Sequence, residues 1–424
     1  MTATDPRPAP AGVNRVVEAV YRIESARIIA ALARMVRDVG LAEELAQDAL
    51  VAALEQWPQR GVPDDPGPWL MATAKHRAID HLRRAENYRR KLAVVGRDVE
   101  LAEQASAEPE IVDALDDHIG DDLLRLIFTA CHPSLTTESQ VALTLRMLGG
   151  LRTDEIARAF LTTEATVSQR ILRAKKTLAK EGVRFELPPP SEVPARLAAV
   201  LGTVYLIFNE GYSATAGDDW SRPQLCEEAR RLGRVLCGLL PDEAEVHGLT
   251  ALMELQASRM GARTDAAGRP VLLLDQDRRR WDRLLIRRGL AALTRAEQIG
   301  TLGPYGLQAA IAACHARALT AAETDWARIA ALYRLLSHVA PSAVVELNRA
   351  VAVGLAEGPA AGLAIVDELI GRGELPGYPH LPAARGELLE RLGRAEEARA
   401  EFARAAELTR NETERELFTR RAHG

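Results

Sequence analysis

Apolar residues recur three and four positions apart along nearly the whole chain, and a strand's alternating period appears nowhere over a useful length. Val16, Val17 and Val20 begin the series, followed by Ile28, Ile29, Leu32, Met35 and Val36. After Gly40 it resumes with Leu41, Leu45, Ala49, Leu50 and Leu54, ending at Trp57-Pro58. The stretch GVPDDPGP (61–68) holds three prolines and two glycines and reads as a loop. Trp69–Lys91 reads as the next helix, with Trp69, Leu70, Ala74, Ala78, Ile79 and Leu82 on its inner side. The only candidate strand is Val271–Leu274, four residues between loops. An all-α fold follows, in keeping with a composition led by the helix formers Ala, Leu, Arg and Glu.

The 424 residues suffice for several domains, and 47% hydrophobic against 27% charged residues allows each a buried core. Aromatic residues, at 4%, are too few for a carbohydrate cleft or an aromatic sheet platform. No run approaches the roughly 18 apolar residues of a membrane span. Met1–Pro10 is Pro-rich without an apolar centre, so it reads as a disordered tail and not a signal peptide. Cys131, Cys226, Cys237 and Cys314 form no CxxC pair and are expected to be reduced thiols in a cytoplasmic protein.

The net charge of −5 excludes a uniformly basic nucleic-acid binder, but the charge is unevenly placed. Lys75, Arg77, Arg83, Arg84, Arg89, Arg90, Lys91 and Arg97 face only Asp80 and Glu86 within their stretch. From Asp98 to Asp122 there is no Lys or Arg, while acidic residues recur from Glu100 through Asp121. This pattern suggests a domain edge followed by an acidic linker. A second basic run, Arg170–Lys180, contains Arg173, Lys175 and Lys176. A basic run by itself is also what a solvated helix face looks like.

Residues 153–180 read TDEIARAFLTTEATVSQRILRAKKTLAK. Thr153 is placed to cap a helix whose first turn carries Asp154 and Glu155. Ile156, Ala157 and Phe160 are expected inside, Leu161–Thr163 turns, and Thr163 caps a second helix anchored by Val167 and Ile171. This is a helix-turn-helix pattern. Its second helix offers Thr166, Ser168, Gln169, Arg170 and Arg173 to base edges and phosphates, with Lys175, Lys176 and Lys180 further along.

With those segments in place, the first 185 or so residues resemble the extracytoplasmic-function (group 4) sigma factors of RNA polymerase. VGLAEELAQDALVAALEQWP (39–58) is similar to that family's polymerase-binding helix. PGPWLMATAKHRAIDHLRR (66–84) is similar to its −10 element segment, and the helix-turn-helix followed by RILRAKKTL to its −35 reader. The rest resembles the C-terminal extension of one sigma subgroup, through VYLIFNEGY (204–212), LCEEARRLGRVL, LLLDQDRRRWD (272–282) and a tetratricopeptide-like end. With Gly386 at repeat position 8, Leu389, Ala398, Phe402 and Ala405 fall at positions 11, 20, 24 and 27.

The resemblance implies a tail (1–12), a −10 and polymerase-binding domain (13–95), an acidic linker (96–120) and a −35 domain (121–183). A Pro-rich linker (184–192), a helical extension (193–315) and tetratricopeptide-like repeats (316–424) complete the chain. It implies that Glu43, Glu44, Gln47 and Asp48 lie along an acidic helix face that docks on core RNA polymerase. Lys75, His76, Arg77, Asp80, Arg83 and Arg84 would meet the −10 element of promoter DNA, Asp80 being equally suited to pair with a neighbouring Arg. Thr166, Ser168, Gln169, Arg170, Arg173 and Lys176 would meet the −35 element. Trp69 and Tyr88 are the aromatic candidates for stacking on an unstacked base, Trp69 also suiting a core position. The repeats would offer a surface to a protein or peptide. No membrane partner is expected, and no GxxxxGK[ST], HExxH or clustered Cys/His points to a cofactor, a metal or an enzyme. Cys226, Cys237 and the Cys131-His132 pair read as structural, Asp275 and Asp277 as caps before Arg278–Leu285, and Asn209-Glu210 as a buried network or a domain contact. A conventional helix-turn-helix regulator with a repeat-type sensor is the alternative, but it has no need of the acidic and basic helices within 39–84.

Overall fold

The computed structural model describes residues 10–95, 119–212, 222–266 and 269–424. Residues 1–9 of the expected tail, most of the acidic linker and Arg97 lie outside them, while residues 10–12, also expected in the tail, begin the first helix. The described residues are helical, with no strand; the sole ladder element is one bridge between Thr264 and Pro270. Val271–Leu274 is not a strand: Val271 donates its N–H to the Arg263 carbonyl at 2.8 Å beside that bridge, and the pairing stops where a single helical turn forms at Leu273–Asp275. The chain divides into two units at Thr203/Val204.

In the first unit, helix α1 (Pro10–Val36) packs with α2 (Val39–Arg60) and α3 (Pro66–Val95). The α1–α2 break comes before Gly40. Arg37 takes a left-handed φ of 55°, and Asp38 caps α2 by accepting the Leu41 N–H at 2.9 Å. Ile28, Ile29 and Leu32 of α1 are buried with Ala42, Leu45, Ala46 and Ala49 of α2 and Leu70, Ala74 and Ala78 of α3. Trp57 is 2% exposed and meets the half-buried Trp69 edge-on at 5.4 Å, so both rings serve packing.

Four helices follow: α4 (Ile119–Ala130), α5 (Thr137–Met147), α6 (Thr153–Ala159) and α7 (Glu164–Lys180). Helix α8 (Val193–Tyr212) comes next. The first unit continues past Pro188–Pro190 to Thr203 because α8 is tied back to α4 and α5. Arg196 donates to the Phe128 carbonyl at 3.0 Å, and the Thr203 hydroxyl lies 3.5 Å from Gln140 Oε1.

The second unit comprises α9 (Pro223–Leu239), α10 (Ala244–Ala257), α11 (Arg283–Ile299), α12 (Pro304–Arg317) and α13 (Trp326–Val339). It continues with α14 (Ala343–Ala356), α15 (Pro359–Gly371), α16 (His380–Arg391), α17 (Ala395–Leu408) and α18 (Glu412–His423). Helix α10 is enclosed by α9, α11 and α12, with ten of its fourteen residues buried and none exposed. Such closeness requires Gly248, where a Cβ would lie 2.7 Å from the Gly306 nitrogen. The C-terminal helices pair in sequence, and Phe402 lies 3.0 Å from where a Cβ on Gly386 would be. Leu347, Val366, Leu388, Leu389 and Ala405 complete that core.

The motif-rich segments of this unit have structural work. Buried Glu254 accepts from Arg230 and Arg234 of LCEEARRLGRVL, at 2.8 Å to each. Arg278 of LLLDQDRRRWD is 3% exposed and donates to the carbonyls of His315 (2.9 Å) and Ala318 (3.0 Å) and to Thr324 Oγ1 (2.7 Å). Asp277 caps only the single turn Arg278–Arg280, and Asp282 caps α11 through the N–H groups of Leu284 and Leu285. Glu210 pairs with Arg222 in a half-buried contact, which favours the buried network for Asn209-Glu210.

Candidate nucleic-acid and protein interface

Helix α7 presents its charged and polar side because Val167, Ile171, Ala174 and Leu178 take the inner side at helical spacing. Thr163 caps it, accepting the Thr166 N–H at 3.1 Å. The preceding turn closes through Leu161, at a φ of 46°. Helix α6 starts one residue earlier than a Thr153 cap requires: Arg152 is the capping position, and its N–H donates to Glu155 Oε2 at 2.8 Å. Phe160, expected inside, is half-buried at the helix end.

Ser168, Gln169, Arg173 and Lys176 are exposed, and Thr166 and Arg170 half-buried. Arg173 donates to Gln169 Oε1 at 3.3 Å, which holds a guanidinium and an amide side by side on the exposed surface of the helix. Leu172, 51% exposed, belongs to the same side, one turn from Ser168 and Lys176. The polar reading passed it over, yet an exposed leucine there suits a thymine methyl. A hollow of about 360 Å³ beside the helix is lined by Ser134, Thr136, Glu138, Ser139, Arg170, Arg173 and Thr177, among others. Its hydroxyls come from the α4–α5 connection (Ser134, Thr136), from α5 (Ser139) and from α7 (Thr177), and had no signal in the sequence.

On α3, His76, Asp80, Arg83 and Arg84 are exposed, while Lys75 and Arg77 are half-buried. Arg77 lies 3.4 Å from Asp48 of α2. Tyr88 is 65% exposed and thus the freer of the two aromatic candidates.

On α2, Glu44 and Asp48 are exposed and Gln47 half-buried. Val51, 49% exposed, and Glu55 continue the Glu44–Asp48 row at seven and eleven positions beyond Glu44. Glu43 does not share that face. It is 3% exposed and lies between Arg146 of α5, at 2.7 Å, and Lys175 of α7; the Gln47 amide also donates to it. Burial works to raise the Glu43 pKa, but the opposing charges and hydrogen bonds of Lys175 and Arg146 outweigh it and hold the carboxyl below its ordinary value. Sequence periodicity cannot distinguish Glu43 from Glu44, because the partners of Glu43 come from more than a hundred residues away.

Cys131 and His132 behave as structural groups. The Cys131 sulfur is buried 3.5 Å from Thr144 Oγ1, and His132 Nδ1 lies 2.7 Å from Ser134 Oγ. Cys226 is buried and Cys237 half-buried.

Three family models match the chain. Sigma-70 region 2 matches residues 20–88, and sigma-70 region 4 matches residues 125–178. A family of unknown function, DUF6596, matches residues 196–297. An uncharacterized protein of Rhizobium meliloti (strain 1021) is 47% identical over 385 residues, which are 91% of this chain and 90% of that protein. SigI of Mycobacterium tuberculosis, described as a probable ECF RNA polymerase sigma factor, is 25% identical over 173 residues, 41% of this chain and 58% of SigI. The ECF RNA polymerase sigma factor SigK of Mycobacterium ulcerans is 27% identical over 157 residues, 36% of this chain and 78% of SigK. No solved structure matches the chain.

Proposed function

This chain belongs to the sigma-70 family, in its extracytoplasmic-function branch, and we propose how its residues divide the work of an alternative sigma factor in transcription initiation. The family implies core RNA polymerase and promoter DNA as partners. Its members are generally regulators without enzymatic activity, and no catalytic step is assigned to this chain. Among the described residues no helix is long and apolar enough to cross a membrane; we place the chain in the cytoplasm, where its partners are.

The observation that carries the reading is the adjacency of α2 and α3. An acidic row, Glu44 and Asp48 with Gln47 beside it, lies on one helix, and a basic row, Lys75, His76, Arg77, Arg83 and Arg84, on the next. A helix-turn-helix protein acting alone on an operator needs neither. Glu44, Gln47 and Asp48 are assigned to polymerase docking, with Val51 as an apolar contact within the same face. Glu43 is assigned there only after release from Arg146 and Lys175. The basic row and Asp80 take the −10 element, where melting draws on binding energy and Tyr88 offers a stacking face. Thr166, Ser168, Gln169, Arg170, Arg173 and Lys176 take the −35 element. The paired helices from α14 to α18 are assigned to a protein or peptide partner, which the tetratricopeptide-like phasing around Gly386 supports.

Mixing the purified chain with bacterial core polymerase tests this. Co-elution and promoter-specific transcripts are expected. Failure to co-elute, together with tight duplex binding without polymerase, would replace the reading with a conventional regulator.

A further inference from the structure

The C-terminal helices form a cavity of about 380 Å³. Its walls follow from helical spacing. Leu347 and Val351 lie four apart on α14, Ala383 and Glu387 four apart on α16, and Glu414, Phe418 and Arg421 at steps of four and three on α18. Phe402 of α17, 1% exposed, also lines it. The small side chains of Ala383 and Ala384 make the room, and the exposed Asn348 and His380 bring the cavity to the surface. Leu272 adds an apolar edge from the loop before the single turn at Leu273–Asp275.

The charges of this lining do not balance. It holds two carboxylates, Glu387 and Glu414, and one guanidinium, Arg421. Arg421 lies over the Phe402 ring at 4.2 Å and pairs with Glu387 at 2.7 Å and with Glu390. Burial works to raise the Glu387 pKa, but the hydrogen bonds and charges of Arg421 and Arg391 outweigh it and hold the carboxyl below its ordinary value. Arg421 is thus a cation held between an aromatic face and a carboxylate. Glu414 has the same kind of surroundings, yet among the described residues no Lys or Arg lies within ion-pair distance of it. Its Oε2 accepts from the Thr409 hydroxyl at 2.8 Å, and its Oε1 lies 3.8 Å from His380 Nε2. Beside it stand Phe418 and Tyr378, with His380 edge-on to both rings. Burial and the Glu414 charge together push the Tyr378 hydroxyl above its ordinary pKa. Arg263 feels the Glu414 charge but does not line the cavity: it lies over the Tyr212 ring at 3.8 Å and donates to the Tyr212 carbonyl.

We propose that this cavity takes an arginine or lysine side chain of an extended partner peptide, paired with Glu414 against the Phe418 and Tyr378 rings. This deepens the assignment of α14–α18 to a protein or peptide partner and rests on it. Charge complementarity selects the occupant. An incoming cation joins Arg421 to balance two carboxylates, whereas an incoming carboxylate would be a third anion beside Glu414. Leu272, Leu347, Val351 and Leu417 offer apolar surface to the residues flanking the basic one. The exposed Asn348 amide supplies a donor and an acceptor to a peptide main chain. A lone small cation would use neither.

The test uses the full-length chain and labelled heptapeptides Gly-Ala-Leu-X-Leu-Ala-Gly, in which X is Arg, Lys, Gln or Glu. Binding is read by fluorescence polarisation at about 0.15 M salt. The Arg and Lys peptides are expected to bind at least tenfold more tightly than the Gln peptide, and the Glu peptide most weakly. Glu414→Gln keeps an acceptor for Thr409 and should bring all four peptides within about threefold of one another, with the unfolding temperature unchanged. A preference that survives Glu414→Gln would overturn the site, since the chain's net charge of −5 by itself attracts basic peptides. The ranking of peptides on the unmodified chain decides the specificity whether or not that variant folds. Equal or tighter binding of the Gln or Glu peptide would overturn the basic specificity and leave the peptide assignment standing. If no peptide binds, both fail. N-acetylarginine amide competing as well as the Arg peptide would replace the peptide with a small organic cation and overturn the proposal. Co-elution with polymerase reports on the sigma reading separately.

Discussion

At the residue scale, neighbouring side chains with the same chemistry have different work. Glu43 and Glu44 are adjacent glutamates, but one is enclosed by two cations and the other is solvated. Replacing Glu43 with Ala leaves Arg146 and Lys175 facing an empty buried position. A loss of about 3–5 kcal/mol in unfolding free energy is expected from such a broken pair. The check is chemical denaturation followed through Trp57 and Trp69. Glu44→Ala should change stability by less than about 0.5 kcal/mol, yet weaken co-elution with polymerase. On α7, Gln169→Ala or Arg173→Ala should reduce discrimination among −35 sequences by about 1–3 kcal/mol. Lys176→Ala should instead weaken all sequences alike and reduce the salt slope by about one. Binding of the polymerase complex to a panel of promoter variants at several salt concentrations separates the two classes.

At the element scale, capping explains much of where helices begin. Asp38, Thr136, Thr163, Asp282, Asp325, Ser342 and Asn411 each accept a backbone N–H at the start of a helix. Asp282→Ala should lower the stability of the second unit by about 1 kcal/mol, read by thermal unfolding. These caps are local in sequence, which is why the Thr163 turn was legible at once. The α1–α2 boundary was displaced from Gly40 because an Asx cap at Asp38 defines the helix start and Gly40 simply continues it. Likewise α2 runs on through Pro58 to Arg60, since Trp57 is held in the core and its carbonyl accepts the Gly61 N–H at 2.9 Å.

At the scale of the whole molecule, buried titrating groups link stability to pH. His315 is 8% exposed, and burial, with the charges of Arg259 and Arg278, lowers its pKa from 6.5 to about 3. The unfolded chain therefore takes up a proton near pH 6.5 that the folded unit refuses until about pH 3. Its contribution is fully present above pH 6.5 and declines as pH falls toward 3, by about 1.4 kcal/mol per unit. Trp326, edge-on to His315 at 5.1 Å, reports that transition by fluorescence. His315→Gln should flatten the acid limb of stability, and an unchanged slope would place its origin elsewhere.

The sequence by itself determined the helical class, the helix-turn-helix and the acidic and basic rows of α2 and α3. Those features depend on spacing of three, four and seven residues and on side chains that act on their own helix. Only the tertiary structure decided which members of each row are free. Glu43 is withdrawn from the exposed acidic row of α2 because Arg146 and Lys175 arrive from distant helices, and Leu172 joins the exposed surface of α7 because its neighbours bury the opposite side. The segments 225–236 and 272–282 look equally functional as strings, but Arg230, Arg234 and Arg278 are spent on Glu254 and on helix-end carbonyls. A charge advertises chemistry in a sequence; whether it meets solvent, a partner or a buried carboxylate depends on contacts between residues far apart in the chain, to which local periodicity is blind.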